Sequence, residues 1–387
     1  MNCIYYVTLL SCLVITGLSF AMDVLEESQP QPLKLSLISK INDGKFISDH
    51  QMILSGSGNK FTGLVSYNIE TKKAEKVRAL ANEALSIAVL SSGPHRRVTF
   101  WGYKECGEIC LETKEARLVD CYMASNRSVA YGRSGRLFLY NTGDPITTAK
   151  NETYINDGTV LFLFNRSKRR KVDFFNPMEN IECHRLECKR DPLRAGTIAS
   201  RPMIDDEIAY TSHMDGVSIV DIKDKHVEEK SYIPVDSSFG YVSGPLRYSD
   251  YGSYLAIGVG EATDHSFLIY DFEKKELIET RRNVLDAVFY PNVLDGVFYP
   301  HGSIITLLQG DFKVIFFNFK TQEIIASIND FSHSITEKKD CNLSIELSPD
   351  GKNIVLFVKA KEGISNAFVI PVPVVVYAYN KANQEKR

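Results

Sequence analysis

Short apolar runs recur along the whole chain, each closed off by Gly, Asp, Asn or Lys. That pattern predicts many short antiparallel strands joined by tight turns. Helical periodicity is nearly absent. The best helical candidate is the stretch 74–90, rich in Ala, Glu and Leu, although it follows a strand-like run and reads equally as a loop. The apolar stretch 369–379 contains Pro371 and Pro373 and is predicted to be a strand with a bend.

The runs repeat as units. Leu246-Arg247-Tyr248-Ser249-Asp250-Tyr251-Gly252-Ser253-Tyr254 leads into Phe267-Leu268-Ile269-Tyr270-Asp271-Phe272-Glu273-Lys274-Lys275. Val297-Phe298-Tyr299-Pro300-His301-Gly302 leads in the same way into Val314-Ile315-Phe316-Phe317-Asn318-Phe319-Lys320-Thr321-Gln322. A third unit begins Ile345-Glu346-Leu347-Ser348-Pro349-Asp350-Gly351-Lys352. These two elements resemble the blades of a WD-repeat-type β-propeller. The first is similar to the turn between a blade's first two strands, the second to its third strand and the turn that follows. The Trp-Asp and Gly-His dipeptides of that family are missing, so the resemblance is to a divergent member. Taking Glu70, Glu112, Arg166, Lys223, Glu273, Lys320 and Asn380 as markers of the second element, the spacing averages about 52 residues, longer than a lean blade. Seven markers imply an all-β fold, a single propeller of seven blades of four-stranded antiparallel sheets. Six or eight blades remain alternatives, because Leu137-Phe138-Leu139-Tyr140-Asn141 competes with the marker at Arg166.

A lone four-stranded meander cannot hide both faces, and radial stacking buries them against neighbours. Two β-sandwiches in tandem are the competing architecture, but no linker rich in Pro, Gly or Ser divides the chain. One irregularity stands out. The segment 283–291 is followed directly by a copy, 292–300, that differs only at Ala287 and Gly296. Only the second copy stands ahead of His301-Gly302 at blade register, so the first is predicted to bulge between blades as a local duplication. An aromatic patch for a partner is the alternative.

Met1 to Met22 carries no charged side chain, the first being Asp23. The run 4–15 within it has the length of a signal peptide's apolar region, and Ser19-Phe20-Ala21 then places small residues where signal peptidase needs them. The expected organisation is therefore a signal peptide at 1–21, a leader at 22–32 and the propeller at 33–387, with the product secreted and extracellular. An uncleaved anchor is the alternative. No later stretch is long and apolar enough to span a bilayer, so no stable membrane insertion is expected after cleavage. Cleavage leaves Cys106, Cys110, Cys121, Cys183, Cys188 and Cys341, an even set suited to disulfides in an oxidising compartment. A zinc site built from these clusters and His184 fits less well, since their x3 and x4 spacings are not the x2 knuckle. Four sequons, at Asn126, Asn151, Asn165 and Asn342, agree with a secreted glycoprotein.

Charge then narrows the function. With 45 basic and 48 acidic residues the net charge is −3, which speaks against nucleic-acid binding through phosphate neutralisation. The densest charge feature is Arg166, Lys168, Arg169, Arg170 and Lys171. It reads as a convertase site, a nuclear-import patch, a surface for acidic glycans or lipids, or simply a solvated turn. Acidic residues such as Asp205, Asp206 and Glu207 read as a blade turn, and His213 and Asp264-His265 as inter-strand turns. No nucleophile elbow, phosphate loop or zinc-binding His motif is present, so no catalytic residue, cofactor site or metal site is assigned and no cofactor is expected. The sequence thus points to a protein-binding propeller scaffold with an unknown protein partner, in the manner of an effector or an extracellular interaction protein. A propeller hydrolase with its site in the central channel is the alternative.

Overall fold

The computed structural model describes residues 30–385 apart from 34, 82, 91–95, 103–104, 121–126, 132–136, 142–145, 148–152, 155–159, 165–180, 186–197, 203, 205–206, 214, 224–225, 262–263, 283, 290–292, 295–296, 299–301, 311–312, 329–340 and 361–365. Among the described residues the strands form seven four-stranded antiparallel sheets and two small two-stranded ones. Six of the larger sheets each come from one stretch of chain. Their first and last strands are Lys40–Phe46 and Lys73–Ala79, Ala84–Leu90 and Ala116–Asp120, Arg127–Tyr131 and Ile181–Arg185, Ile198–Ser200 and His226–Pro234, Val242–Tyr248 and Glu276–Arg282, and Val284–Phe289 and Glu323–Ile328. The remaining sheet is composite. Cys341–Leu347, Asn353–Ala360 and Asn366–Pro371 are completed on the outer edge by Gln31–Pro32 from the other end of the chain. The first strand of each sheet touches the first strand of the next, and Cys341–Leu347 meets Lys40–Phe46, so the ring closes around an axis lined by first strands. The architecture is a single β-propeller with four-stranded blades.

The recurring sequence elements fold as recurring turns. After the third strand of a blade, an Asn or Asp side chain collects the next backbone amides. Asn68 Oδ1 accepts from Glu70 N and Thr71 N at 3.1 and 2.8 Å. Asp271 Oδ1 accepts from Glu273 N and Lys274 N at 2.9 and 3.1 Å, and Asn318 Oδ1 from Lys320 N and Thr321 N at 2.9 and 3.2 Å. The turn then ends on a residue in the left-handed region: Lys72, Lys114, Lys275 and Gln322 have φ of 56, 61, 57 and 62°. The hairpin between the first two strands is equally regular. Ser249 Oγ accepts from Tyr254 N at 3.1 Å and Ser348 Oγ from Asn353 N at 2.9 Å, with Gly252 and Gly351 at φ 68 and 71°. Asp271 is itself 3% exposed, and its loss leaves the amides of Glu273 and Lys274 without their acceptor. Asp271→Ala is expected to destabilise the protein by about 1–2 kcal/mol, the range for a lost side-chain cap, and Asp271→Asn by much less. Urea unfolding of the two variants checks this.

The core is divided among the seams between blades. One cluster joins Ile38, Ile41 and Phe61 of the first blade to Val355, Phe357 and Ala367 of the composite one. Another joins Ile53 and Leu64 to Ile87 and Phe100. Further seams unite Ile219 with Leu255, Phe267 with Phe317, and Phe316 with Leu356. The first, fifth, sixth and composite sheets are therefore buried on both faces, which explains why their second and third strands read as continuous apolar runs.

Three sequence expectations are corrected. The marker at Asn380 does not belong to a strand turn, because Pro371 ends the last strand and Pro373 opens a helix, Val374–Glu385. That helix turns Val376, Tyr379 and Asn380 toward the ring, where the Tyr379 hydroxyl accepts from Asn318 Nδ2 at 3.1 Å. The helical candidate at 74–90 is instead two strands, Lys73–Ala79 and Ala84–Leu90, since Val77, Leu80, Ala84, Ile87 and Val89 pack in the seam beneath the first blade. In the nine-residue duplication the roles are reversed. The first copy supplies the channel strand Val284–Phe289, and the second makes the hairpin Val293–Leu294 with Val297–Phe298. The preceding strand ends at Arg282, so the chain enters the channel at once and extrudes the second copy.

Candidate functional site

The axis of the ring carries a cluster of charges. In the first strands of four blades the pairing register slips, and two of these slips fall between Ile41 and Asp43 and between Val284 and Asp286. A bulge re-aims the side chain at the slip, and each of these aspartates reaches the neighbouring blade. Asp43 Oδ2 accepts from Ile87 N at 2.9 Å and its Oδ1 from Gly44 N at 2.9 Å. Asp286 Oδ2 accepts from Ile345 N at 2.9 Å and its Oδ1 from Ala287 N at 2.9 Å. Arg247, on the first strand of the fifth blade, places Nη2 3.4 Å from Asp286 and Nη1 3.3 Å from Glu346. Glu346 also accepts from Lys45 of the first blade. Three carboxylates, two cations and four backbone amides thus tie together the first strands of five blades.

The Asp286 side chain is 3% exposed and that of Glu346 14%, so the pairing decides their charge states. Burial alone would raise the Glu346 pKa, but Lys45 and Arg247 together hold it below the ordinary glutamate value. Burial would likewise lower that of Arg247, and Asp286 and Glu346 outweigh it, keeping the guanidinium more firmly protonated than usual. Outside this cluster Glu83 joins the first two blades, accepting from Lys40 Nζ at 2.9 Å, Asn42 Nδ2 at 3.2 Å and Ser57 Oγ at 2.5 Å. Its burial also opposes ionisation, and those three donors override it to depress the pKa. A carboxyl whose folded pKa lies below its unfolded one adds stability above the unfolded value and loses it as pH falls through the folded value. Stability is therefore expected to be level near neutrality and to fall below about pH 4.5. Glu346→Gln flattens that acid limb, as denaturant titrations at pH 3 to 7 would show.

Several sequence-predicted sites lie outside the described residues: Asn126, Asn151, Asn165, Cys121, Cys188 and the basic residues Arg166, Lys168, Arg169, Arg170 and Lys171. Asn342 lies in the channel strand Cys341–Leu347, paired with Lys359. Cys106 and Cys110 share one strand, about 13 Å apart at four residues' rise, too far to bridge each other. Cys110 is buried with a free thiol, its Sγ 3.7 Å from Glu112 Oε2. Cys183 sits opposite Phe162 and Cys341 opposite Ala360. The turn reading of Glu207 is corrected, since it starts a strand and is buried, bound to Arg201 at 2.7 Å and Lys230 at 3.1 Å. Asp264 and His265 begin a strand rather than lying between strands. No group of three or more His, Cys, Asp or Glu able to hold a metal is found among the described residues. No helix among them is long and apolar enough to cross a membrane.

None of the channel charges was singled out from the sequence. Their signal is an Asp followed by a small residue and, two places on, Phe: Asp43-Gly44-Lys45-Phe46 and Asp286-Ala287-Val288-Phe289, echoed by Asp295-Gly296-Val297-Phe298.

By sequence, no family profile and no curated protein matches the chain. By structure it is similar to an oligogalacturonate lyase in complex with manganese, at 11% identity and TM-score 0.55, over 90% of this chain and 90% of that one. It is similar to a chain of the Mitotic Checkpoint Complex, at 12% identity and TM-score 0.56, over 89% and 93%. It is also similar to the β-propeller domain of Cps50 (Swd1) from Myceliophteria thermophila, at 10% identity and TM-score 0.57, over 88% and 99%. The likeness is one of fold. The chain is a WD40-like β-propeller in architecture, without WD repeats in its sequence.

Proposed function

We propose that the protein is a secreted glycoprotein whose propeller serves as a protein-binding scaffold. The observation that carries this reading is the state of the channel. Asp43, Asp286 and Glu346 converge there, yet each is already engaged by Arg247, Lys45 or the amides of neighbouring strands. Carboxylates committed to holding blades together are poor ligands for a substrate or cation, so recognition falls to the rims and seams of a rigid ring. Likeness to a propeller within the Mitotic Checkpoint Complex agrees with a role in assembly. Export rests on the apolar start of the chain and the four sequons. The second reading, an enzyme with its site in the channel, draws on the same convergence of carboxylates and on the likeness to a lyase in complex with manganese.

The test is expression through a eukaryotic secretory pathway, followed by intact-mass analysis before and after deglycosylation. The secreted product is then screened on a biosensor against a panel of extracellular domains. A product starting at Met22 that loses mass on deglycosylation and binds one domain saturably, with or without manganese, is expected. An intact Met1 without sugar would sink the secreted reading. Tight manganese binding that Glu346→Gln abolishes, with no protein bound, would replace the scaffold by the channel enzyme.

A further inference from the structure

The seam between the fifth and sixth blades opens outward into a groove of about 310 Å³ lined by Thr280, Arg281, Gln309, Phe317 and Gln322. Its floor is the ring of Phe317, itself buried in the seam core. The Arg281 guanidinium carbon lies 5.5 Å from that ring's centroid and Arg281 has no ion-pair partner among the described residues. A guanidinium laid on an aromatic face is held in place through its flat side, and its N–H edge remains available to a carboxylate. Gln322 donates to the carbonyls of Phe319 and Glu279 at 2.8 and 3.4 Å, which fixes its amide at the groove's end. Ile324 pairs with Phe317 across the sheet and so shares its face, yet it is 41% exposed. An oriented cation, an aromatic floor and an exposed aliphatic side chain therefore lie along one seam.

We infer that this groove docks an extended segment of a partner protein that presents an Asp or Glu side chain to Arg281 and a neighbouring apolar side chain to Ile324. The inference rests on the scaffold reading and locates its surface. Charge complementarity selects the occupant: in a chain with more acidic than basic residues, Arg281 is a buttressed cation without a counter-ion among the described residues. Thr280, whose hydroxyl donates to the Phe267 carbonyl at 2.5 Å, is engaged within the fifth blade and anchors the strand that carries Arg281.

The probe is a phage-displayed library of random peptides of about 12 residues, panned on the intact glycosylated chain. Selected peptides are measured by calorimetry on the wild type, Arg281→Glu and Ile324→Glu. Both positions are exposed, so unchanged thermal midpoints are expected and verify folding. The selected peptides should share an acidic residue beside an apolar one and bind each variant about tenfold or more weakly. Replacing their acidic residue by Lys should abolish binding to the wild type and restore it to Arg281→Glu. Peptides that bind both variants as tightly as the wild type would overturn the groove while leaving the scaffold reading intact. So would failure to enrich any peptide on a chain that binds an extracellular domain. Failure of both screens would overturn the scaffold reading itself.

Discussion

Arg247→Met is expected to lower the unfolding free energy by about 3 kcal/mol or more, one of the largest losses any single substitution outside the apolar core should cause. The magnitude follows from what remains behind. Asp286 is almost fully buried, and without Arg247 its charge is answered only by the amides of Ala287 and Ile345. Glu346 retains Lys45 but loses its second cation. Removing one member of a buried ion pair costs more than the pair itself contributes, because an uncompensated charge stays in a poorly solvated place. Two comparisons separate this from simple loss of packing. Arg247→Lys keeps the charge but cannot reach both carboxylates with one fork, so it should fall between the two. Adding Glu346→Gln to Arg247→Met removes a carboxylate that has lost one of its two cations and should restore part of the loss, a coupling that a double-mutant cycle in urea measures directly. A loss no greater than that of a solvent-exposed arginine, with no coupling to Glu346, would show that the channel network does not hold the blades.

The blades were readable because their turns are local. Ser348 to Lys352 and Asp271 to Lys275 satisfy their own backbone groups within five residues, so the sequence of each turn carries its own geometry. The channel cluster was not readable in that way. Glu346 and Lys45 are separated by almost the entire chain, and the ring has to close before they meet. The duplicated segment failed for a related reason. Both copies satisfy the same local pattern, and the partners offered to Asp286 from other blades, the Ile345 amide and Arg247, distinguish the copy at the axis. The C-terminal helix misled because its Val and Tyr residues suit a strand equally well. Pro373 is the stronger local cue, and the need to cover the sixth blade's outer strand settled the matter. The groove at Arg281 is a product of two blades, so neither blade's repeat announces it.

Phe357→Ala is expected to cost about 3–5 kcal/mol and to open the ring at one place. Phe357 is 1% exposed in the seam between the composite blade and the first, against Ile41, Met52 and Leu54. The fit is close enough that a methyl group at Gly44 would overlap its ring. Truncation therefore leaves a cavity that rigid strands on both sides cannot collapse to fill. The location adds a second effect. This seam is where the two ends of the fold meet, held by the two-residue strand Gln31–Pro32 against Phe368 and Val369 and by Leu33 N donating to the Ala367 carbonyl at 2.8 Å. Phe317→Ala provides the control, since Phe317 is equally buried in a seam where Arg282 and Val284 are separated by one residue. Covalent continuity keeps those two blades adjacent even when their packing weakens. Both variants should lose similar global stability, but only Phe357→Ala should release the amides of Leu33 and Phe368 to hydrogen exchange ahead of global unfolding. Equal exchange patterns in the two variants would mean that the closing strand is held independently of the seam core, and that the ring's weakest join lies elsewhere.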